Sequence, residues 1–493
     1  GEDVSVRGPF VADREINAQN ITMESGATWT TEADVSLTLS DLLLQPGASI
    51  DAGTWAFGVM ADSVTLLENT SIEGALNSTG SSTKVVIDAQ AMSLSGVVRG
   101  DQVHLRGGSL DLLGAAAIDA SGLGHAAGSG LGAGSHYPSN YVAGGGGTHG
   151  GAGSTGYAGA AGSIATYGNA HAPDTPGSGG GSGLNGTGGK GGGVIRVELS
   201  GDLTVAASAS ITADGANGGG SSSQTYVGGG GAGGSIWVSC ATISGEGTFS
   251  ANGGASGASG YGGAGGGGRI AVYTQDWSNF LGAATSTVST TSGFSNATVG
   301  TYAVFKTATP DSSNDWSSAE VSIFHGWEFQ RDAAGAVILG SLGDLTIQEA
   351  AFVRGPSVDG AGDSVGGADH ISISGVLTCE AYSQWNAGDL DVHASEVLVK
   401  GDASLSVAGP SASLVGDMTV DLELGSYISA EALALSGGDV TVGGLIEADR
   451  IDVDSSTLSI LVSGALDVDG GGFSAGNGPG AGSHYPSNYV AGG

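Results

Sequence analysis

The sequence predicts an all-β fold, a β-solenoid or β-helix in which short strands stack coil upon coil, with long glycine-rich excursions between them. Short runs of alternating apolar and polar residues, bounded by Gly, Ser, Asn or Asp, indicate strands, and helical periodicity is nearly absent. A five-residue phrase also recurs at the ends of successive runs. Without the glycine-rich stretches roughly twenty residues remain per coil, a usual length for a stacked β-structure.

Residues 1–120 are predicted to form β-solenoid coils. They contain the alternating runs Ile21–Met23, Val35–Leu39, Leu42–Leu44, Val64–Leu67, Lys84–Asp88, Met92–Leu94, Val103–Leu105 and Leu110–Leu113. The runs follow one another at about eight to twelve residues, a spacing that a sandwich, a barrel and a solenoid share. The recurring phrase favours the solenoid.

Residues 121–270 are predicted to be coils interrupted by excursions. The phrase consists of an apolar residue, a small polar one, a small apolar one, a polar turn former and glycine, and it occurs at Ile118–Gly122, Ile211–Gly215, Phe249–Gly253 and Leu466–Gly470. After each of the first three, the chain passes through a glycine-rich stretch and returns in an alternating run, at Gly193–Val197, Gly234–Val238 and Gly268–Val272. The chain therefore leaves one edge and re-enters as the next strand.

The excursions run from Gly122 to Gly193, from Gly215 to Gly234 and from Gly253 to Gly268. A structureless loop of about seventy residues is unusual in a compact domain, so we expect the first excursion to be either disordered or ordered in its own way. Glycine-dense chains can pack as extended left-handed strands, as in polyglycine and collagen-like packings, although glycine does not occupy every third position here. Tyrosines would then anchor the surface, namely Tyr137, Tyr141, Tyr157, Tyr167, Tyr226 and Tyr261.

A fourteen-residue run, GAGSHYPSNYVAGG, occurs twice, at Gly132–Gly145 and at Gly480–Gly493. The same offset of 348 positions aligns Val103–Leu131 with Ile451–Pro479, and Val6–Pro9 matches Val353–Pro356 at an offset of 347. These matches predict a tandem large repeat of about 348 residues. Residues 349–470 would be a second copy of the coils and residues 471–493 the start of a second excursion. Residues 271–348, rich in Trp and Phe, would form a compact β module.

The duplicated run is predicted to be an assembly contact, because it presents a histidine, two tyrosines and a rigid proline turn once per repeat. Its residues are His136, Tyr137, Pro138 and Tyr141, with His484, Tyr485, Pro486 and Tyr489 in the second copy. Recent duplication without a role is the competing interpretation. We interpret the chain as a window from a longer array or a processed polymer subunit, the alternative being a natural terminus that copies an internal loop.

Composition limits the classes of partner. The chain has 48 acidic against 13 basic residues and a net charge of −35. Nucleic acid binding needs clustered Lys and Arg, so nucleic acid is excluded as a partner, and an anionic membrane surface is disfavoured. No apolar run approaches about eighteen residues, so we expect no membrane insertion in this segment. We interpret the acids as a solvated skin, with recruitment of divalent cations as the alternative.

Five Asn-x-Ser/Thr sequons predict covalently attached glycans on an extracellular or cell-surface protein; they begin at Asn20, Asn69, Asn77, Asn185 and Asn296. The two cysteines, Cys240 and Cys379, are compatible with a disulfide and equally with two buried free thiols. They therefore do not decide the compartment.

The sequence has no clear catalytic or metal-binding motif. The Asp-x-Asp pairs Asp389/Asp391, Asp452/Asp454 and Asp467/Asp469 each point to one face of a strand, where a solvated surface is their ordinary role. The glycine runs lack the aspartate of calcium-binding nonapeptide repeats. Histidines of the first excursion, His125, His136, His149 and His171, are expected to make polar contacts rather than bind metal. We therefore predict no enzyme activity and no cofactor.

The stretch Gly191–Tyr273, with GGGVIRVELSGDLTV, ITADGANGGG, GGAGGSIWVSC and GYGGAGGGGRIAVY, resembles glycine-rich repetitive β-solenoid proteins of microbial and algal cell surfaces. The resemblance implies an extracellular adhesin or filament role and transfers no catalytic residues. We predict a structural subunit of an extracellular glycoprotein filament, sheath or fibre that assembles with itself through axial β-stacking and glycine-rich contacts. A cell-surface adhesin stalk that binds carbohydrate is the first alternative, and a polysaccharide-active β-helix enzyme is the second.

Overall fold

The structure, a computed structural model, describes residues 3–12, 18–74, 84–136, 142–158, 165–291, 293–295, 297–307, 319–328, 341–354, 369–387 and 390–468. The chain divides into two compact units, unit 1 with residues 1–330 and unit 2 with residues 331–493. The described residues form strands and the segments that connect them, with one short 3₁₀ helix. The all-β prediction is therefore confirmed.

The strands of unit 1 follow one another at short intervals, except where the glycine-rich excursions intervene. They are β1 (Asp3–Val6), β2 (Pro9–Ala12), β3 (Asn20–Met23), β4 (Thr28–Thr31), β5 (Val35–Thr38), β6 (Asp41–Leu44), β7 (Ser49–Asp51), β8 (Phe57–Leu66), β9 (Ser71–Glu73), β10 (Lys84–Leu94), β11 (Val97–Arg99), β12 (Gln102–Leu112), β13 (Ala117–Asp119), β14 (Val194–Leu199), β15 (Leu203–Val205), β16 (Ser210–Thr212), β17 (Ser235–Gly245), β18 (Thr248–Ser250), β19 (Arg269–Phe280), β20 (Thr301–Lys306), β21 (Glu320–Ile323) and β22 (Gly326–Glu328). The 3₁₀ helix, Leu281–Thr285, follows β19.

The chain of unit 1 visits two sheets in turn. The short sheet has eight parallel strands in the order β18-β16-β13-β11-β9-β7-β4-β2. The long sheet holds the other strands, which are parallel except where β21 meets β20. One passage through both sheets is called a coil here. In the long sheet it pairs Lys84 with Gln102, 18 positions later, and Asn20 with Asp41, 21 positions later.

Coils stack because each one places apolar side chains in register with those of the next. In the long sheet a row of consecutive partners is at most 1% exposed, consisting of Ile21, Leu42, Val64, Met92, Leu110, Leu203 and Ile243. In the short sheet a second row is fully buried, consisting of Ile50, Ile72, Val98, Ile118, Ile211 and Phe249. Side chains alternate between the two faces of a strand, so the period-two pattern of the sequence supplies one buried residue per coil to each row.

Unit 2 has the same kind of parallel pairing. Its strands are β23 (Ser341–Leu342), β24 (Asp344–Ile347), β25 (Phe352–Arg354), β26 (Asp369–Cys379), β27 (Gln384–Ala387), β28 (Leu390–Val399), β29 (Ser404–Val407), β30 (Ala412–Leu422), β31 (Tyr427–Val442), β32 (Leu445–Ile460) and β33 (Ala465–Asp467). A row of register partners runs through Leu377, Val397, Val420, Val440 and Leu458. The first four are 1% exposed or less.

The predicted repeat meets the structure in two places with different results. Strands β13 and β33 begin 348 positions apart, at Ala117 and Ala465, which is the offset of the longer alignment; the repeat itself stays a prediction. Val6, however, ends β1, which pairs with β3, whereas Val353 lies in β25, which follows the turn after β24 and pairs with β27. In unit 1 the strand that follows the turn after β1 is β2, so β2 and not β1 is the counterpart of β25. The match of Val6–Pro9 with Val353–Pro356 places Val353 of β25 on Val6 of β1 and therefore does not join equivalent strands.

The aromatic-rich stretch 271–348 falls in both units, because the division lies between residues 330 and 331. Its first residues belong to β19, which pairs in parallel with β17 over most of its length, and β20 pairs in parallel with β19. Strands β19 and β20 thus continue the long sheet of unit 1.

The described residues of the excursions are ordered. Together with residues 287–291, 293–295 and 297–300 they form a glycine-rich bundle of extended segments that hydrogen-bond to one another outside any sheet. Segment 227–234 lies at its centre. The N–H groups of Gly228 to Gly234 donate in turn to the carbonyl oxygens of Gly219, Gly181, Gly263, Ala216, Ser178, Gly266 and Ala213. The acceptors thus belong to three segments that recur in strict rotation.

The carbonyl oxygens of this central segment repeat the same period. Those of residues 227 to 232 accept in turn from Gly144, Gly257, Gly189, Gly147, Gly254 and Gly192. The central segment therefore bonds to six neighbours, three through its N–H groups and three through its carbonyls. A strand in a sheet has two neighbours, whereas a period of three residues per turn is that of the extended polyglycine and polyproline helix. The expected polyglycine-like packing is what the hydrogen bonds describe.

Close packing explains why glycine is dense in the bundle without a collagen-like spacing. A Cβ atom added at Gly230 would lie 1.9 Å from the carbonyl oxygen of Gly254, and one at Gly231 would lie 2.0 Å from that of Lys190. In a collagen helix only every third residue faces the crowded axis. A segment with six neighbours is crowded in every direction, so consecutive glycines are required.

Candidate interaction surfaces

The free end of the glycine-rich bundle is the first candidate surface. Its segments reach the long sheet at Gly193, Gly234 and Gly268, immediately before β14, β17 and β19. The opposite end, called the tip here, consists of the turns at residues 182–187, 220–226, 257–261 and 293–295, together with His136 and Tyr157. Turns on a rigid scaffold are where binding residues commonly lie.

Four aromatic side chains, the tip aromatics, meet at this end: Tyr157, Tyr226, Tyr261 and Phe294. The ring centroid of Tyr157 lies 5.5 Å from that of Tyr261, 5.4 Å from that of Phe294 and 6.4 Å from that of Tyr226. The rings of Tyr261 and Phe294 are 6.3 Å apart at an interplanar angle of 22°. Tyr157, Tyr261 and Phe294 are 38%, 40% and 48% exposed, so the cluster is packed on one side and open on the other.

Backbone hydrogen bonds hold the tip aromatics in place. The N–H of Tyr157 donates to the carbonyl of Tyr261 at 2.7 Å, and the N–H of Phe294 donates to that of Gly262 at 2.8 Å. The N–H of Asn185 donates to the carbonyl of Tyr226 at 2.7 Å. The positions of the rings are therefore set by the bundle, because their main chains are part of its network.

The turns of the tip carry no charged residue. Residues 182–187 read SGLNGT, residues 220–226 read GSSSQTY and residues 257–261 read GASGY. Ser221, Ser222 and Ser223 are exposed. In a chain with a net charge of −35, the tip is thus a neutral surface of rings, hydroxyls and amides.

Both ends of the first copy of the duplicated run, Gly132 and Gly145, are hydrogen-bonded within the bundle. The N–H of Gly132 donates to Ser178 Oγ at 2.9 Å, and that of Gly145 donates to the carbonyl of Ser135 at 3.1 Å. His136 is exposed. The other predicted contact residues, Tyr137, Pro138 and Tyr141, lie outside the described residues, as do His484, Tyr485, Pro486 and Tyr489. The assembly contact stays a prediction.

The structure separates the predicted tyrosine anchors into two groups. Tyr157, Tyr226 and Tyr261 are at the tip, whereas Tyr167 packs on His149 in the part of the bundle nearest the long sheet, with ring centroids 4.9 Å apart. Phe294 joins the tip although sequence reasoning missed it. The signal was its setting, because residues 287–300 continue the uncharged Gly, Ser and Thr composition of the excursions.

A buried polar cluster lies where the bundle meets β19. His149 Nδ1 donates to the carbonyl of Gly233 at 2.8 Å, and its Nε2 is 3.1 Å from the hydroxyl of Thr175. Arg269, fully buried, donates from Nε to the carbonyl of Tyr167 at 3.0 Å. Burial, reinforced by Arg269, lowers the pKa of His149 to about 3 and that of His171 to about 4. Both ring nitrogens of His149 are engaged, which agrees with the expected polar contacts.

The last coil of unit 2 is the second candidate surface. Leu458 and Ile460 of β32 are 44% and 50% exposed. Their register partners on β31, Val440 and Val442, are 1% and 0% exposed. The face of β32 that would be covered by a further coil is therefore open among the described residues.

The sequons fall in different environments. Asn69 is exposed in a turn with a left-handed φ of 59°. Asn20 lies in β3 and donates from its side chain to Asp3 Oδ1 at 2.8 Å, and Asn185 is half-buried at the tip. Asn77 and Asn296 lie outside the described residues. Of the three sequon asparagines that the structure describes, Asn69 is therefore the most exposed.

The cysteines are both free and buried. Burial raises the pKa of the Cys240 and Cys379 thiols to about 12. Of the two readings of the cysteines, the structure therefore has the buried free thiols and lacks the Cys240–Cys379 disulfide.

The carboxylate pairs show no catalytic arrangement among the residues that can be compared. Asp452 forms an ion pair with Arg450, and His393 Nε2 is 2.8 Å from Asp417 Oδ1. Asp389 and Asp469 lie outside the described residues. Within the described part of the chain, no group of three or more His, Cys, Asp or Glu residues could hold a metal ion.

Comparisons with protein-family models, with curated proteins and with solved structures gave no match to this chain. Within the described residues, none of the helical segments has the length and apolar character needed to cross a membrane.

Proposed function

We propose that this chain is a structural subunit of an extracellular glycoprotein filament, sheath or fibre, assembled through axial β-stacking and glycine-rich contacts between copies. One observation carries the proposal. Leu458 and Ile460 occupy the same rows as the buried Val440 and Val442, yet about half of each side chain is exposed. An apolar strand edge of this kind is a template for pairing with another chain.

A second copy is the occupant that we assign to this edge. Within the described residues β1 pairs only with β3, and β2 only with β4. Phe10 and Val11 of β2 are 36% and 57% exposed. In this proposal the edge of β32 in one copy pairs in parallel with the edge of β1 and β2 in the next. A head-to-tail contact of this kind propagates into a fibre when its rotation does not close into a ring.

The magnitude of burial favours this contact. Complete burial of one Leu or Ile side chain contributes roughly 1.5–3 kcal/mol. Covering two half-exposed side chains therefore contributes about as much as one complete burial. The new backbone hydrogen bonds along β32 add to it. Solvated acids and N-glycans, best presented at Asn69, would keep the sides of the filament apart, which supports placing the protein outside the cell.

The experiment compares two lysine substitutions on the same strand. Ile460→Lys places a charge on the edge that would be buried, whereas Ser459→Lys adds the same charge at the neighbouring position, which faces the other way. We expect fibres in electron micrographs and rapidly sedimenting material for the wild type and Ser459→Lys, and separate particles for Ile460→Lys. Fibres that persist in Ile460→Lys, or separate particles in the wild type, would refute axial stacking at β32.

A carbohydrate-binding adhesin stalk is the second candidate. The tip aromatics favour it, because Tyr157, Tyr261 and Phe294 leave 38–48% of their surface exposed on an uncharged scaffold. A stalk and a filament subunit are compatible functions for stacked coils. Glycan binding by the purified chain tests this candidate independently of fibre formation.

A further inference from the structure

We propose that the tip of the glycine-rich bundle is a binding site for neutral carbohydrate, with Tyr157, Tyr261 and Phe294 as its stacking surface. The site deepens the adhesin candidate and does not depend on filament formation. It is distinct from the open edge of β32, which belongs to the other unit.

Rigidity is the first argument. The segments that carry the tip aromatics are hydrogen-bonded to neighbouring segments, and added Cβ atoms at Gly156 and Gly293, next to Tyr157 and Phe294, would lie 2.6 Å and 2.3 Å from backbone atoms. At Gly263, two positions after Tyr261, the nearest backbone atom would be 2.1 Å away. A ligand that binds a surface already held in place avoids the entropic cost of ordering it.

Ring exposure is the second argument. Core aromatic side chains of unit 1, such as Trp29 and Phe57, are fully buried. Tyr157, Tyr261 and Phe294 instead leave 38–48% of their surface open. Tyrosine supplies a flat apolar face and a hydroxyl at low entropic cost, which suits a ligand that presents C–H faces and hydroxyl groups together.

Charge is the third argument and selects the chemistry of the ligand. The tip turns lack Asp, Glu, Lys and Arg, while the whole chain carries −35. The field of the chain repels polyanions such as polyuronates and nucleic acids, and no cation at the tip offsets that repulsion. The polar groups that remain are hydroxyls and amides, including those of Ser221, Gln224 and Asn185. These groups match the hydroxyls of a neutral sugar.

The test measures sugar binding by the full chain with isothermal titration calorimetry. The neutral probes are cellohexaose, laminarihexaose, maltoheptaose and chitohexaose at millimolar concentration, and oligogalacturonate is the anionic probe. We expect at least one neutral probe to bind and oligogalacturonate to fail. Material from a host without N-glycosylation is used, because a glycan on Asn185 would lie beside Tyr226.

Three variants assign the binding to the tip. Tyr261→Ala is expected to weaken binding about tenfold or more through loss of stacking, and Tyr261→Phe, which keeps the ring, by about threefold or less. Trp55→Ala is the control, because Trp55 is 42% exposed on a turn between β7 and β8, away from the bundle. It should leave the affinity unchanged. Thermal melting of each variant verifies that the fold is kept.

The outcomes separate this inference from the filament proposal. No binding of any neutral probe, or equal binding by Tyr261→Ala and the wild type, overturns the tip site. Loss of self-association in Tyr261→Ala without sugar binding would show instead that copies contact one another through the tip. Repeating the titration on Ile460→Lys keeps the two proposals apart, since sugar binding should survive when fibres do not form.

Discussion

Single residues in this protein are constrained by backbone neighbours as much as by side-chain packing. The central segment of the bundle has a hydrogen-bonded neighbour in each of six directions, so the absence of a Cβ atom is a packing requirement at Gly230 and Gly231. Ala232, within the same run, is fully buried, which shows that single methyl groups fit only at selected positions.

Gly230→Ala is expected to lower the free energy of unfolding by about 2–4 kcal/mol, because the added methyl group would overlap the carbonyl of Gly254 and neighbouring chains must move. Chemical denaturation monitored by circular dichroism measures the change. Gly58→Ala is the matched control, since its Cβ atom would find its nearest neighbour, the carbonyl oxygen of Val35, at 3.7 Å. The control should change stability by no more than about 0.5 kcal/mol. Equal effects of the two substitutions would contradict the packing described for the bundle.

His149 makes stability depend on pH in a direction that the structure specifies. Its pKa of about 3 in the folded protein lies below the ordinary value of 6.5, so below pH 6.5 the unfolded chain binds a proton that the folded chain does not. This contribution to stability is fully present above pH 6.5 and declines as the pH falls towards 3. The decline is about 1.4 kcal/mol per pH unit once the unfolded histidine is protonated.

Denaturation curves at pH 7, 6 and 5 test this dependence before most carboxylates titrate. His149→Gln is expected to reduce the slope of stability against pH by close to one proton, although the variant is less stable at pH 7. His136→Gln serves as the control because His136 is exposed. A slope that is the same in wild type and His149→Gln would mean that His149 is not buried in its neutral form.

Strands and segments are the scale at which the sequence pattern becomes structure. In both units, parallel strands pair in register and bury rows of apolar side chains, with each coil supplying one member of each row. A coil alone could not bury its apolar residues, so each row is stabilised by the coils on either side. The bundle segments follow a different rule. The N–H groups of the central segment bond to three neighbouring segments and its carbonyl oxygens bond to three others, and few positions have room for a side chain.

Leu110→Ala tests the row of the long sheet. Leu110 is fully buried between Met92 and Leu203, and its loss should leave a cavity that costs about 2–5 kcal/mol of unfolding free energy. Asp111→Ala, at the next and exposed position of β12, should cost no more than about 0.5 kcal/mol. Urea denaturation of both variants gives the comparison. A small effect at Leu110 would argue against a continuous row.

At the scale of the whole molecule, charge is distributed unevenly. The chain carries −35, but long stretches of the bundle have no charged residue at all. The acids therefore belong to the strand-rich parts, where they face solvent on alternate positions. Any contact between copies through those parts must overcome repulsion between like charges.

Self-association should consequently increase with ionic strength. Raising the salt concentration from about 0.1 M to about 1 M shortens the Debye length from about 10 Å to about 3 Å and weakens the repulsion between copies. Sedimentation velocity is expected to show more material in large assemblies at high salt for the wild type. Ile460→Lys should remain unassembled at both concentrations. Assembly that weakens with salt would point to attractive ionic contacts instead of apolar stacking.

The sequence by itself determined the strands and the points where excursions begin and end. The pattern of apolar residues at alternate positions is local, so Ile118, Ile211 and Phe249 could be recognised as inward residues of successive coils before their register was known. The neutral composition of the excursions was also visible. So was the presence of tyrosines in them, although Phe294 and Arg269 were not singled out.

Only the tertiary structure decided how the glycine-rich segments pack and which aromatic residues meet at the tip. Glycine has no side chain whose pattern could indicate a preferred neighbour, and each backbone group can bond to any other. The partners of the central segment come from residues as distant as Gly144 and Gly266. The tip is therefore created by long-range backbone hydrogen bonds, which bring Tyr157, Tyr261 and Phe294 together from segments that are far apart in the chain.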